Sequence, residues 1–210
     1  MIKKISIIAN GSLNNKTFHK KLLNESNKII CADGGGEHAK ELDIIPDYII
    51  GDLDSVSKST ISYFKELGKT KIIENKDQDK TDLELAILLA ETLDPNEINI
   101  LGAIGNRIDH TLANIYCLNK IRSDIKAQII DDKNIIELVE KPIDVKGDKG
   151  DIVSIIPLTD ISGLSYNGMK WLVSDKDTEF GWFGISNRLT NKKGNISFSK
   201  GKILVMRVRE

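Results

Sequence analysis

The chain has 210 residues, 40% of them apolar and 29% charged, with a formal net charge of −1. That length suits one large domain or two small ones, and the composition is ordinary for a soluble globular protein. The near-zero charge balance argues against a general nucleic-acid surface, and the lack of any apolar run of about 18 residues argues against a transmembrane helix.

The N-terminus, M-I-K-K-I-S-I-I-A-N-G, has a basic pair and a short apolar run. Asn10, Gly11 and Asn14 cut that run too short for a signal peptide, so it reads as a first β-strand, Ile5–Ala9. Phe18–Asn24 reads as a short helix, Ile29–Ala32 as the second strand and Glu37–Leu42 as the next helix. Pro46 leads into a third strand, Tyr48–Ile50. Ser57–Leu67 places Ile61, Phe64 and Leu67 on one helical stripe, and Gly68 ends it. Lys71–Ile73 is a fourth strand. Leu83–Leu93 follows as a strong helix stopped by Asp94-Pro95. Strand Ile98–Leu101, helix Leu112–Ile121 and strand Ala127–Ile130 complete the series. Such alternation predicts a Rossmann-like α/β fold: a mostly parallel sheet with helices on both faces.

From Ile135 onward the pattern changes. Short β-prone runs at Ile135–Val139, Ile152–Pro157, Lys170–Val173, Asn195–Phe198 and Ile203–Val208 are punctuated by glycines, with no convincing helix. They predict an antiparallel β-sandwich or open barrel. Two domains are therefore expected, residues 1–131 and 132–210. Cys31 and Cys117 sit in apolar contexts without paired spacing, which predicts buried free thiols in a reducing cytoplasm.

The chemistry concentrates in the turns after successive strands. The second strand runs into Asp33-Gly34-Gly35-Gly36, and the third into Gly51-Asp52-Leu53-Asp54-Ser55. After the fourth comes Asp77-Gln78-Asp79-Lys80-Thr81-Asp82, at the start of the strong helix. In a parallel sheet all three turns open at the carboxyl edge, where ligands bind. Converging carboxylates repel one another, and a hard cation such as Mg²⁺ relieves this. Asp79 and Thr81 are equally N-cap candidates. After the fifth strand, Gly102-Ala103-Ile104-Gly105-Asn106-Arg107-Ile108-Asp109-His110 offers glycines for close approach and one arginine whose fork suits phosphate. Asp109 is also a candidate helix cap. No G-x-x-x-x-G-K-[ST] and no early G-x-G-x-x-G is present, so neither a P-loop kinase nor a dinucleotide fold is indicated.

Taken together and in this order, D-G-G, P-D-Y-I-I-G-D-L-D-S, D-Q-D-K-T-D and G-A-I-G-N-R-I-D-H closely resemble the thiamin pyrophosphokinase family. The resemblance covers roughly Ile29 to Asn114. It continues faintly through G-M-K-W, residues 168–171, and G-I-S-N, residues 184–187. It departs at Arg188, where related sequences often carry an acidic residue. The resemblance implies transfer of a diphosphate from ATP to the hydroxyethyl group of thiamin, with release of AMP. It implies an α/β domain for ATP and metal, a β-rich domain for thiamin, and a homodimer; the cysteines add a cytoplasmic location, and charge and hydropathy leave no nucleic-acid or membrane partner expected. By resemblance, Asp52, Asp54 and Asp82 hold Mg²⁺ and, with Arg107, form the catalytic set. Asp33, Gly34, Gly35, Arg107, Asp109 and His110 line the ATP site. Gln78, Thr81, Ser186 and Asn187 contact thiamin.

The residues themselves fit such chemistry. Attack at the β-phosphorus needs in-line positioning and neutralised charge, which carboxylate-held Mg²⁺ and Arg107 supply. The base that takes the alcohol proton is open between metal activation and an aspartate of the cluster. Trp171 or Trp182 is available to stack on the thiamin rings, although packing in a β-rich core accounts for either. One rival reading, a haloacid-dehalogenase-type phosphatase, rests on Asp52-x-Asp54-x-Val56, but that motif normally follows the first strand. A non-catalytic nucleotide sensor is the other, and it predicts a lost carboxylate.

Overall fold

The structure, a computed structural model, describes residues 3–77 and 79–209. The chain divides into two compact units, Met1–Asp132 and Lys133–Glu210.

The first unit alternates strand and helix. In chain order it contains β1 (Lys4–Ile8), α1 (Lys16–Asn24), β2 (Lys28–Ala32), α2 (Gly35–Glu41), β3 (Tyr48–Gly51) and α3 (Lys58–Leu67). It continues with β4 (Lys71–Glu74), α4 (Asp82–Thr92), β5 (Glu97–Leu101), α5 (Ile108–Cys117), a 3₁₀ turn at Leu118–Lys120 and β6 (Lys126–Ile130). These strands lie in the order β6-β5-β1-β2-β3-β4, and every neighbouring pair is parallel. The strands are buried on both faces, so they read as continuous apolar runs; Ile5, Ile7 and Ile8 of β1 are wholly inaccessible. Leu23 of α1, Ala39 of α2 and Phe64 of α3 pack with Ile8, Cys31, Ile49 and Leu101 over one face. The chain then crosses back, and α4 packs on β1, β2 and β3 with Leu83, Leu85, Ala86, Ile87 and Ala90 buried. The sheet order reverses between β1 and β5, which is the switch point where such sheets open a crevice.

The second unit is all β among the described residues. It contains β7 (Asn134–Val139), β8 (Ile143–Lys146), β9 (Ile152–Pro157), β10 (Ile161–Asn167), β11 (Val173–Thr178), β12 (Gly184–Arg188), β13 (Lys193–Ser197) and β14 (Ile203–Val208). One antiparallel sheet runs β12-β9-β14-β7 and the other β11-β10-β13-β8. Val153, Ile155, Ile203 and Val205 of the first meet Leu164, Tyr166 and Ile196 of the second in one core. This is the sandwich that the glycine-punctuated runs predict.

Two expectations need correcting. The helix predicted over residues 112–121 begins at Ile108 and gives way to the 3₁₀ turn after Cys117. Its first turn presents an exposed Ile108 and the polar Asp109 and His110, so its apolar pattern starts late. Asp109 therefore sits inside the first turn, with Arg107 at the N-cap position. The strand predicted over residues 170–173 is instead a turn, in which Lys170 N–H donates to the Arg188 carbonyl. Pairing begins at Val173 in a strand of mostly exposed polar residues. No helix of the described residues is long and apolar enough to cross a membrane.

Asn187 explains how β12 is held. The register of β12 on β9 shifts between Gly184 and Asn187, and Ser186 adopts φ +59°. That irregularity turns the Asn187 side chain inward, where it is buried. Its Oδ1 accepts the Trp171 N–H at 3.0 Å, and its Nδ2 donates to the Trp171 carbonyl at 2.7 Å. Asn187→Ala should therefore leave both Trp171 backbone groups unpaired and lower stability by about 1–3 kcal/mol. Thermal unfolding of the variant beside the parent checks this. Asn187→Asp, which retains the acceptor, should lie between them.

Candidate active site

The register of β2, β3 and β4 sets their carboxyl ends level: Ala32 pairs with Ile50, and Gly51 with Glu74. The acidic turns thus open side by side. Asp33 follows β2 with φ +40° and is 2% exposed. Its Oδ2 accepts the Ser55 N–H at 2.9 Å, while Oδ1 is buried with no partner. Asp52 follows β3, and its Oδ1 accepts the Asp54 N–H at 3.2 Å. Asp82 opens α4. One carboxylate oxygen from each of Asp33, Asp52 and Asp82 lies within 4.8 Å of the others.

Gly51 makes this approach possible. Its φ is +154°, and a β-carbon there would stand 2.7 Å from Asp82 Oδ1 and 2.8 Å from Asp33 Cβ. Burial pushes the Asp82 carboxyl above the usual aspartate range; Asp33, Asp52 and Asp54 push it further, against a hydrogen bond from the Asp52 backbone. Asp54, expected with Asp52 and Asp82, lies outside the close group: it is exposed and accepts the Ser55 hydroxyl at 2.9 Å. Asp33 takes that place. An orphaned buried oxygen beside two further carboxylates is the donor set a hard divalent cation requires.

A cavity of about 770 Å³ adjoins the cluster. Asp52 and Ser55 line it from the β3 loop, and Asp77, Lys80, Thr81 and Asp82 from the β4 loop. Asn106, Arg107, Asp109 and His110 line it from the β5 loop. Asn10, Gly11 and Ser12, after β1, complete the wall. The last group went unrecognised in the sequence, where A-N-G-S carries no charge. Its signal was the glycine after the first strand. Gly11 N–H donates to the Gly102 carbonyl at 2.6 Å, and Ser12 N–H to the Ile104 carbonyl at 2.7 Å. A β-carbon on Gly11 would lie 2.3 Å from the Gly102 oxygen, so the two loops meet backbone to backbone.

Gly34 and Gly35 do not line the cavity. They give room to the β1 segment: a β-carbon on Gly35 would sit 2.0 Å from the Ile8 carbonyl oxygen, and one on Gly34 would strike the Asn10 side chain. Arg107 and Asp109 face each other as a fork, Nε–Oδ1 at 2.9 Å and Nη2–Oδ2 at 2.6 Å. The guanidinium holds the Asp109 carboxyl well below the usual range. Thr81 caps α4 in a capping box with Glu84, and Lys120 pairs with Glu84. His110 is exposed. Gln78 lies outside the described residues. Ser186 and Asn187 belong to the second unit, where Ser186 is exposed and the Asn187 amide is engaged at Trp171.

Two family models match the chain: the thiamin pyrophosphokinase catalytic domain over residues 19–129, and the thiamin pyrophosphokinase vitamin B1 binding domain over residues 139–203. The chain belongs to the thiamin pyrophosphokinase family. It is an enzyme of the thiamine diphosphokinase class. The thiamine pyrophosphokinase of Bacillus subtilis is 30% identical over 211 residues, covering 98% of this chain and 99% of that protein. Its crystal structure superposes with a TM-score of 0.89 over 99% of this chain and 100% of the other. Thiamine pyrophosphokinase 1 of Arabidopsis thaliana is 29% identical over 72% of this chain and 67% of its own length. The Candida albicans thiamin pyrophosphokinase, 22% identical, shares the fold with a TM-score of 0.85, over 99% of this chain and 90% of that one. The catalytic-domain match of the thiamin pyrophosphokinase family spans every cavity-lining loop except that after β1. The phosphatase alternative fails on topology as well, since Asp52 follows the third strand of the sheet.

Asp82 gives a stability test with a defined sign. Its folded pKa is raised, so its favourable contribution is present below the unfolded value, near 3.8, and is lost as pH rises through the folded pKa. Without divalent cations, Asp82→Asn should therefore melt at a higher temperature than the parent at pH 7. The gap should close as pH falls towards the ordinary aspartate range. Equal melting temperatures at pH 7 would show that the cluster carries no repulsion.

Proposed function

We propose that this chain transfers the β,γ-diphosphoryl group of ATP to the hydroxyl of the hydroxyethyl group of thiamin in a Mg²⁺-dependent reaction. The thiamin oxygen bonds to the β-phosphorus while the bond from that phosphorus to the α,β-bridging oxygen breaks. AMP leaves with the bridging oxygen, and the hydroxyl proton is released. The observation that carries this reading is the convergence of Asp33, Asp52 and Asp82 beside the cavity, with Asp33 Oδ1 unpartnered.

Asp33, Asp52 and Asp82 would hold Mg²⁺, with Asp54 close enough to influence Asp82 electrostatically. Bound there, the ion would supply positive charge for the phosphoryl oxygens and the leaving group. Arg107 offers a planar fork to phosphate oxygens, exchanging Asp109 for them, and His110 stands beside it on the same wall. The β1 and β5 loops form the close-fitting floor for the nucleotide, and Gly34 and Gly35 allow it by letting β2 approach β1. For thiamin, a cation, the acidic wall with Thr81 is the favourable surface. Ser186, exposed in left-handed backbone, contributes to its recognition, and Asn187 does so by shaping the Trp171 segment.

The domain assignment follows the same division: residues 1–131 for ATP and metal, 132–210 for thiamin. A homodimer is supported by the exposed Trp171, Leu172, Phe180, Phe183 and Ile185 of the second unit, apolar surface that a partner copy would cover. A cytoplasmic location agrees with two free, buried cysteines.

The test is to incubate the protein with ATP and thiamin, with and without Mg²⁺, and identify the products. Thiamin diphosphate and AMP, formed only with the metal, are expected; ADP with thiamin monophosphate would sink the reading. Asp52→Asn should lower kcat by about a hundredfold or more. It should also abolish the rise in melting temperature that Mg²⁺ gives the parent, a readout independent of turnover.

A further inference from the structure

Lys80 is a basic side chain of the cavity to which no role has been assigned. It lines the wall between Asp77 and Asp82, and its Nζ lies 2.5 Å from Asp77 Oδ2. Asp77 is itself propped: its N–H donates to Asn75 Oδ1, and its Oδ1 accepts the Asp79 N–H, both at 3.0 Å. The exposed lysine is therefore paired with a carboxylate that local hydrogen bonds orient.

The charge around it calls for a cation. Asp52, Asp77, Asp82 and Asp109 line the cavity, against three basic side chains among the described residues, Lys80, Arg107 and His110. A triphosphate brought to such a wall needs positive charge beyond a single divalent ion. Arg107 and His110 stand after β5, whereas Lys80 stands after β4, and β1, β2 and β3 lie between those strands. Lys80 reaches the cavity from the loop that opens α4, and Arg107 from the loop that opens α5, so the two cations come from different loops to serve different parts of one ligand. Lys80 is two residues from Asp82, a member of the carboxylate group, so a phosphate drawn to a cation there is drawn to Lys80 too.

We propose that Lys80 grips the transferred diphosphoryl group, the β- and γ-phosphates of ATP and then the diphosphate of the product, by exchanging Asp77 for phosphate oxygens. This rests on the diphosphate transfer described above. The exchange replaces one charge-assisted hydrogen bond with another, so it costs little and leaves the α-phosphate to Arg107. Lys80 is thus a specificity-determining contact that separates ATP from AMP, and thiamin diphosphate from thiamin.

Calorimetric titration of the full chain with ATP, AMP, thiamin diphosphate and thiamin, in Mg²⁺, tests the assignment. Lys80→Met should bind ATP and thiamin diphosphate about tenfold or more weakly, while AMP and thiamin change less than twofold. Lys80→Arg should recover most of the loss. Asp77→Asn, which releases the lysine, should tighten ATP. Unchanged ATP affinity in Lys80→Met, or an equal loss for AMP, overturns the proposal. Product analysis on the parent protein distinguishes the two levels. If it makes thiamin diphosphate and AMP while Lys80→Met binds normally, only the role of Lys80 falls. If the parent makes neither, the reaction falls and Lys80 with it.

Discussion

Repulsion among Asp33, Asp52 and Asp82 is the constraint on which the first unit turns. Each carboxylate is placed by a different strand or helix end, and the sheet register sets the turns that carry Asp33 and Asp52 side by side. Asp33 is buried with one oxygen unpartnered, and burial with neighbouring charge raises the Asp82 pKa. A fold maximising its own stability would not hold these groups together. The surrounding backbone over-determines them: Gly51 clears the space between Asp33 and Asp82, the Ser55 N–H holds Asp33, and the capping box fixes the start of α4. Stability is given up locally, a common arrangement at functional sites.

The fold was legible in the sequence because its two halves use different periodicities. Buried parallel strands read as short apolar runs separated by helical stripes, and Gly68 at φ +65° ends α3 as its position suggested. The sandwich was legible as a class but less so strand by strand. β10 is broken by Gly163 and register shifts, and β11 is mostly exposed and polar, so neither carries the apolar alternation that marks a half-buried strand. The late apolar start of α5 has a similar cause, since Ile108, Leu112 and Tyr116 along it remain exposed.

For the site, the charged turns were legible and the neutral ones were not. Asp52, Asp82 and Arg107 announced themselves by charge and by position after strands. The β1 loop, Asn10 to Ser12, did not, because its contribution is backbone geometry at the switch point. The resemblance also grouped Asp54 with Asp52, two positions apart, a spacing that puts both side chains on one face only in an extended segment. Leu53 instead takes φ +63°, which breaks the extended geometry, and Asp33, distant in sequence, comes into the group. Asn187 shows the converse: a polar residue resembling a contact to ligand is engaged with the backbone of its own unit.

The cavity has walls of unequal stiffness. On the β1 and β5 side, the bonds from Ala9 to Leu101, Gly11 to Gly102 and Ser12 to Ile104 continue the ladder of the sheet past the ends of its strands. Amide protons there should exchange with solvent nearly as slowly as those of the core, although the segment is formally loop. On the β4 side, Asn75, Asp77, Asp79 and Lys80 are tied to one another largely through side-chain oxygens two or three positions away. Such local ties break one at a time rather than together. The cavity is therefore braced by a backbone ladder on one flank and by local side-chain ties on the other.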